Sequence, residues 1–288
     1  MVGFSRNSIC LLLLQYKKTK SIVHNPFQGV FLYLIISHTI SLIFFSKKKT
    51  KLKELIPDNF VDIHSHLIPG IDDGSKSMEN TSEMMNSLKS IGFEQFITTP
   101  HIIQNVWNNN REIIQQGEIA VIESLSSNNQ EIPFKAAAEY MLDTSFSELL
   151  QKEKLLTLKD NYILVEMSYL NPPMQLVDLI YETQLAGYIP VLAHPERYLF
   201  YHNNTSEYEK LKKAGCLFQM NLLSAVGYYG EGVAKIVDKL LKKGMIDFVG
   251  SDVHHQKHLD AFSGNIIIKE IAPLKEAIHN NQLFRFLL

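Results

Sequence analysis

Short runs rich in apolar and β-branched residues recur along this chain at intervals of about 25 to 35 residues, and this recurrence restricts the fold more than any other feature of the sequence. They lie at 60–63, 93–98, 134–138, 163–167, 189–193, 216–221 and 246–250, and each reads as a strand. Between them fall segments with the apolar spacing of helices, at 77–91, 112–125, 174–186, 207–214 and 232–243. Gly92 and Gly187 stand where two of those helices should stop, because glycine takes a positive φ without steric cost. Alternation of strand and helix argues for an α/β fold with a parallel sheet. About seven such units make a barrel or an open doubly wound sheet.

Six of the seven strands are followed by side chains that can hold a metal. They are His64 and His66 in the segment from Asp62, then His101, Glu139, Glu166, His194 with Arg197 three residues on, and Asp252 with His254. In a parallel α/β barrel the C-terminal strand ends form one rim, so residues distant in sequence converge there. His64 and His66 are two apart on extended backbone and therefore point to one side, where both can hold one ion. One strand-end histidine is ordinarily a hydrogen-bonded core or loop residue; five of them, together with several carboxylates, are not explained that way. Imidazole and carboxylate donors without thiolate suit Mn, Fe or Zn better than they suit a structural zinc site.

Composition narrows the function classes. Lys plus Arg number 28 against 30 Asp plus Glu, a formal net charge of -2, so no overall basic field exists to hold nucleic acid. Cys10 and Cys216 are too few for a disulfide framework and fit a reducing cytoplasm. A cysteine-dependent phosphatase would need an arginine six residues after its cysteine, where this chain has Tyr16 and Leu222. No GxxxxGK[ST] or GxGxxG fingerprint supports nucleotide binding. Residues 1–45 differ from the rest, with apolar runs at 11–14 and 30–45 followed by Lys47, Lys48, Lys49, Lys51 and Lys53. The longer run falls short of the roughly 20 residues that span a bilayer. We therefore expect residues 1–45 to be an apolar leader or a membrane anchor, and 46–288 to be the domain that carries the chemistry. Were the leader to insert, the lysines behind it would keep that domain at the inner, cytoplasmic face of the membrane.

The ordered motifs DIHSHLIPGIDDG (62–74), TPH (99–101), AHPERY (193–198) and SDVH (251–254) resemble the PHP superfamily, named for polymerase and histidinol phosphatase. Within it they are most similar to the bacterial metal-dependent tyrosine-protein phosphatases of capsule and exopolysaccharide operons. The resemblance covers roughly residue 55 to the C-terminus and implies a distorted (β/α)7 TIM-like barrel with a trinuclear metal centre, manganese being the first expectation. It further implies one ion on His64, His66, Glu139 and Asp252, a second on Glu139, Glu166 and His194, and a third on Asp73, His101 and His254. Asp72 reads as turn chemistry beside Asp73.

The chemistry that follows is hydrolysis of a phosphate monoester. Asp73, Glu139, Glu166 and Asp252 offset four of the six positive charges on three divalent ions, leaving a surplus that suits a phosphate dianion. Divalent ions acidify water toward neutral pH, so no side-chain nucleophile is required. Arg197 is the candidate clamp on the phosphoryl group, through its planar fork of donors; the alternative is an ion pair with Glu196 at the surface. Tyr198 is expected to bind substrate, and Phe200, Tyr201, Tyr228 and Tyr229 to flank an aromatic ring around the rim. A phenolate leaving group, with a conjugate acid near pKa ~10, needs little protonic help; a protonated His254 or Asp73 acting through water are the alternatives if an acid is used. The resemblance implies a phosphotyrosine substrate on a bacterial tyrosine kinase or related protein of polysaccharide biosynthesis or export. Two other readings are a phosphatase of a small phosphate monoester such as histidinol phosphate, and a non-catalytic adaptor for phosphotyrosine.

Overall fold

Every strand ladder in the described residues, 49–287 of a computed structural model, is parallel. The apolar leader expected at 1–45 lies outside those residues, and none of the described helices is long and apolar enough to cross a membrane. One ladder joins β1 (Phe60–Asp62), β2 (Phe93–Thr98) and β4 (Phe134–Ala136). The other runs through β3 (His101–Ile102), β5 (Glu139–Met141), β6 (Tyr162–Glu166), β7 (Ile189–Ala193), β8 (Leu217–Asn221) and β9 (Phe248–Gly250). β3 continues the path of β2 past Thr99 and Pro100, since a proline cannot donate to a ladder. Pairing survives the interruption: Ala137 N donates to Thr98 O at 2.8 Å and Glu139 N to Pro100 O at 3.1 Å. Seven strand paths result, as the sequence implied.

Closure between β1 and β9 relies on side chains as well as backbone. Asp62 accepts from Ser251 N and Ser251 Oγ at 3.0 and 2.6 Å, while Asn281 bridges Val61 O and both backbone groups of Val249 at 2.8–3.1 Å. Toward the rim Asp252 N donates to His64 O and His66 N to Val253 O. This closure makes a distorted seven-stranded α/β barrel. One face of the strands contributes Val61, Ile97, Ala137, Leu164, Val191 and Phe248 to a buried cluster that Phe284 completes, its ring 4.8 Å from Phe248. The opposite face packs beneath the helices.

The five expected helices are α1 (Met78–Lys89), α2 (Arg111–Ser127), α4 (Leu176–Leu185), α5 (Ser206–Lys213) and α6 (Glu231–Lys242). Gly92 and Gly187 take φ of 114° and 88° behind two of them. Three more, α3 (Thr144–Lys152), α7 (Gln256–Ala261) and α8 (Ile271–Asn280), were not read from the sequence. α3 is a 9-residue helix whose Phe146, Leu149 and Leu150 pack toward the core, and α7 has only 6 residues. α3 is also fixed by its cap, Asp143 Oδ1 accepting from Ser145 N and Phe146 N at 2.8 and 3.0 Å.

Candidate metal centre

The alternation that fills the barrel also aims most of the site. His101, Glu139 and Glu166 are in phase with the inward-facing Ile97, Ala137 and Leu164, so they meet at the C-terminal rim without further adjustment. His194 is one residue out of phase with Val191 and Ala193, and its backbone takes φ 37°; Asp252 takes φ 49°. Left-handed backbone at non-glycine residues costs about 1–3 kcal/mol and collects at functional sites. The turn at His194 is held by its N–H donating to Gln219 O at 2.7 Å, and the turn at Asp252 by the bond to His64 O.

All nine side chains expected to hold metal come together here. His64 Nε2 lies 3.2 Å from Glu139 Oε2 and 3.3 Å from Asp252 Oδ1, and His66 Nε2 lies 3.6 and 3.5 Å from the same two oxygens. His101 Nδ1 is 3.2 Å from Glu139 Oε2 and 2.8 Å from Glu166 Oε1, while its Nε2 is 3.5 Å from Asp73 Oδ1. His254 Nε2 approaches Asp73 Oδ1 at 3.4 Å and its Nδ1 approaches Asp252 Oδ1 at 3.4 Å. The grouping differs from the one the resemblance implied: His101 falls with Glu139 and Glu166 as well as with Asp73 and His254, His66 joins that last group, and His194 falls with His64 and Asp252 while its Nε2 stays 3.1 Å from Glu139 Oε1. The reason is that both ring nitrogens of His101 have acidic neighbours, one on each side.

These contacts have the character of a metal cage more than of a hydrogen-bond network. His64 Nε2, His66 Nε2, His101 Nδ1, Glu139 Oε2 and Glu166 Oε1 are buried and make no hydrogen bond among the described residues, even where two of them stand 2.8 Å apart. Buried polar atoms without partners are costly and rare. Two donors about 2.1 Å from one ion at a tetrahedral angle sit roughly 3.4 Å from each other, which is the spacing seen. The residues therefore fit divalent metal.

Electrostatics agree. Burial would push Glu139 up, yet His64 and His101 hold its carboxyl well below the usual range; Asp252 is likewise held well below by His64 and His254 against its burial. Burial alone would lower His64, but Glu139 and Asp252 raise it to about 9. Glu166 is raised by burial and by Glu139. The buried carboxylates of Glu139 and Asp252 are thus held ionised by the positive charge of the imidazoles that face them.

Surrounding residues orient the cage. His66 Nδ1 is paired with the buried Asp72 Oδ2 at 2.7 Å and His64 Nδ1 with Gln219 Oε1 at 2.7 Å, leaving each Nε2 to face the centre. Asp72, read from sequence as turn chemistry, also accepts from Gly74 N at 2.9 Å, as a turn residue would. Asn221 Nδ2 donates to Asp252 Oδ2 at 2.5 Å. Sequence reasoning missed the orienting roles of Asp72, Gln219 and Asn221; each becomes visible only once the strand ends are brought together.

A cavity of about 370 Å³ opens over the cage, lined by Asp73, His101, His194, Arg197, Asp252 and His254, with Tyr169, Tyr229, His255 and His258. Arg197 Nη1 donates to Asp252 Oδ2 at 2.9 Å, and its guanidinium lies 4.8 Å from the Tyr169 ring centre and 4.3 Å from that of Tyr229. The surface pair with Glu196 does not form: Glu196 is buried and accepts from Asn221 N and Ser224 Oγ at 2.9 and 2.7 Å. Tyr198 is a correction. It is 0% exposed and its hydroxyl accepts from Met167 N at 2.9 Å, so its ring is a core group under the site and not a substrate contact. Of the rim aromatics expected, Tyr229 lines the cavity; Tyr169, three residues beyond Glu166, was overlooked because its loop has no motif.

Comparison with known proteins follows the same line. The chain is 30% identical over 198 residues to the tyrosine-protein phosphatase YwqE of Bacillus subtilis, covering 68% of this chain and 78% of that protein. It is 27% identical over 201 residues to the tyrosine-protein phosphatase CpsB of Streptococcus pneumoniae, covering 68% and 83%. Among solved structures, one described as YwqE and CpsB, metal-dependent tyrosine phosphatases, superposes with a TM-score of 0.69 at 27% identity, over 78% of this chain and 93% of that one. The lactonase Lmo2620 of Listeria monocytogenes, at 10% identity and a TM-score of 0.52, shares the fold over 81% of this chain and 97% of its own. Residues 60–261 match the family described as capsular polysaccharide synthesis, CpsB/CapC, and the chain belongs to that family.

Proposed function

We propose that this chain is a metal-dependent protein-tyrosine phosphatase, a phosphoric monoester hydrolase acting on phosphotyrosine. The observation that carries the reading is the convergence of nine metal-capable side chains beneath one cavity whose wall includes Arg197 and two tyrosine rings. His64, His66, Asp73, His101, Glu139, Glu166, His194, Asp252 and His254 would hold up to three divalent ions, manganese first and Fe or Zn as alternatives. Such ions supply positive charge for phosphoryl oxygens and acidify water near neutral pH. Glu139, common to two of the groups, Glu166 and His194 would fix the charge distribution at the reacting phosphorus. Arg197 offers its fork to the phosphoryl group, held in plane by Tyr169 and Tyr229. Entry of a phosphate competes with Asp252 for that guanidinium, which keeps the arginine poised at the cavity mouth. The phenolate departs with little protonic help, so an alkyl phosphate is the poorer substrate.

The substrate we infer is a phosphotyrosine on a bacterial tyrosine kinase or a related protein of capsule or exopolysaccharide biosynthesis, as the family's description supports. The catalytic unit would be 46–288, working in the cytoplasm, which the count of 2 cysteines in the chain supports. The test is phosphate release by the full chain from phosphotyrosyl peptide, phosphoseryl peptide and histidinol phosphate, with Mn and after chelation. Turnover of the phosphotyrosyl peptide that is lost on chelation, and lost in His194→Ala, is expected. Preference for histidinol phosphate would replace the substrate, and silence on all three would remove the enzymatic reading.

A further inference from the structure

Tyr169 touches both halves of the site, the metal cage and the arginine. It lies on the loop from β6 to α4 and lines the cavity over the cage. Its ring stacks on that of His194, with centres 5.6 Å and planes 25° apart, and its centre is 4.8 Å from the Arg197 guanidinium. The buried Tyr198 packs against it at 5.8 Å. These contacts fix where the hydroxyl falls: Tyr169 Oη is 3.4 Å from His194 Nε2, the nitrogen that also lies 3.1 Å from Glu139 Oε1. Among the described residues Oη has no other hydrogen-bond partner, and 3.4 Å is at the long end of the range. Tyr169 is nevertheless 46% exposed, so a solute in the cavity reaches it.

An imidazole nitrogen has one lone pair, which serves an ion or a hydrogen bond but not both. With a metal on His194 Nε2, the tyrosine loses its acceptor there and keeps its O–H, since an ordinary phenol with a pKa near ~10 stays protonated at neutral pH. The donor is then left beside a metal ligand and beside Arg197, without a partner in the protein. A phosphoryl group presents three equatorial oxygens, of which an arginine fork engages two. The freed hydroxyl therefore stands where a further phosphoryl oxygen needs a donor.

We propose that the Tyr169 hydroxyl is a substrate-binding donor of this enzyme, hydrogen-bonding a phosphoryl oxygen beside those held by Arg197. The proposal rests on the phosphatase reading above and adds to it a residue that neither the sequence motifs nor the metal groups contain. Two competing roles are positional: a hydroxyl that only steadies His194, and a ring that only stacks on Arg197. Tyr169→Phe separates them, because the ring and its stacking persist and the O–H alone is lost.

The full chain and this variant would be compared in three measurements: calorimetric titration of chelator-stripped protein with Mn, titration of the Mn-loaded protein with inorganic phosphate, and hydrolysis of para-nitrophenyl phosphate and a phosphotyrosyl peptide. Tyr169→Phe is expected to keep the Mn affinity of the wild type, to bind phosphate about tenfold more weakly and to lose about 10–100-fold in kcat/KM on both esters, the range for a hydrogen bond to a charged group. Tyr169→Leu, which removes the ring as well, is expected to lose at least as much with Mn affinity again retained. Weaker Mn binding by Tyr169→Phe would make the hydroxyl a positioning partner of His194 and overturn the proposal. Wild-type phosphate affinity and kcat/KM in Tyr169→Phe, with losses confined to Tyr169→Leu, would leave the ring as the working part and overturn it too. Turnover of neither ester by the wild type would overturn the phosphatase reading and the assigned donor with it.

Discussion

Replacing Asp72 by Asn tests whether the metal centre depends on a residue outside its lining. Asp72 is buried and its Oδ2 lies 2.7 Å from His66 Nδ1; the same carboxylate accepts from Gly74 N at 2.9 Å and from His101 N at 3.3 Å. Burial by itself would lower the pKa of His66, and Asp72 is the first of the groups that raise it well above the usual value. Asn keeps the shape but loses the charge, and presents an amide NH2 to at least one of the three donors. A charge-assisted hydrogen bond is worth about 1.5–3 kcal/mol net, and loss of an orienting partner behind a metal-binding histidine costs about 10–100-fold in metal affinity. Taking about 2 kcal/mol gives roughly a thirtyfold weaker Mn affinity. Calorimetric titration of chelator-stripped protein with Mn measures this directly, with phosphatase activity followed across the same titration. Activity should recover toward the wild-type kcat at saturating Mn, because Asp72 does not line the cavity. Unchanged Mn affinity in a variant whose unfolding matches the wild type would refute the orienting role.

Three further outcomes follow from the geometry. Arg197→Ala should lower kcat/KM for a phosphotyrosyl peptide by about 10²–10³, the loss typical of one positioned transition-state donor, with Mn affinity retained; loss of metal instead would make Arg197 a structural partner of Asp252. Gly250→Ala would place a Cβ 2.6 Å from His64 Cβ and 2.7 Å from Gln219 Nε2, so it should displace His64, destabilise the fold by about 1–3 kcal/mol in thermal unfolding, and weaken Mn binding at least tenfold. Cys216 is buried, and burial pushes its thiol up to about 12, so only about one molecule in ten thousand carries a thiolate at pH 8; iodoacetamide should leave both Cys216 and the activity intact, as mass spectrometry and assay would show.

The strand pattern left a barrel or an open doubly wound sheet, and the resemblance named in the sequence pointed to the barrel. All seven apolar runs contain or overlap an observed strand, because a buried parallel strand must be apolar on both faces and so stands out in any reading. α3 and α8 were not read from the sequence, although Phe146, Leu149 and Leu150 in the one and Leu274, Ala277 and Ile278 in the other hold the i, i+3, i+4 spacing of a helix. Eight members of the metal-capable set were legible from strand-end position and Asp73 only through the resemblance, whereas the grouping was not legible: His101 joined Glu139 and Glu166 only when two strands lay side by side with His101 opposite Glu139. Tyr198 was misread for a similar reason. It follows Arg197 in sequence, yet the 3-10 turn over Pro195–Arg197 leaves the arginine in the cavity and the tyrosine in the core.

Sequence by itself determined the parallel α/β architecture, the absence of thiolate and nucleotide-loop chemistry, and the collection of imidazoles and carboxylates at one rim. Those follow from local rules, apolar period and the shared polarity of parallel strands, that act within a few residues of each position. Tertiary structure decided the rest. The left-handed turns at His194 and Asp252, the backing of His64 and His66 by Gln219 and Asp72, and the seating of Arg197 between Tyr169 and Tyr229 join residues remote in the chain. Each is a balance of burial, charge and strain that exists only once the barrel has closed.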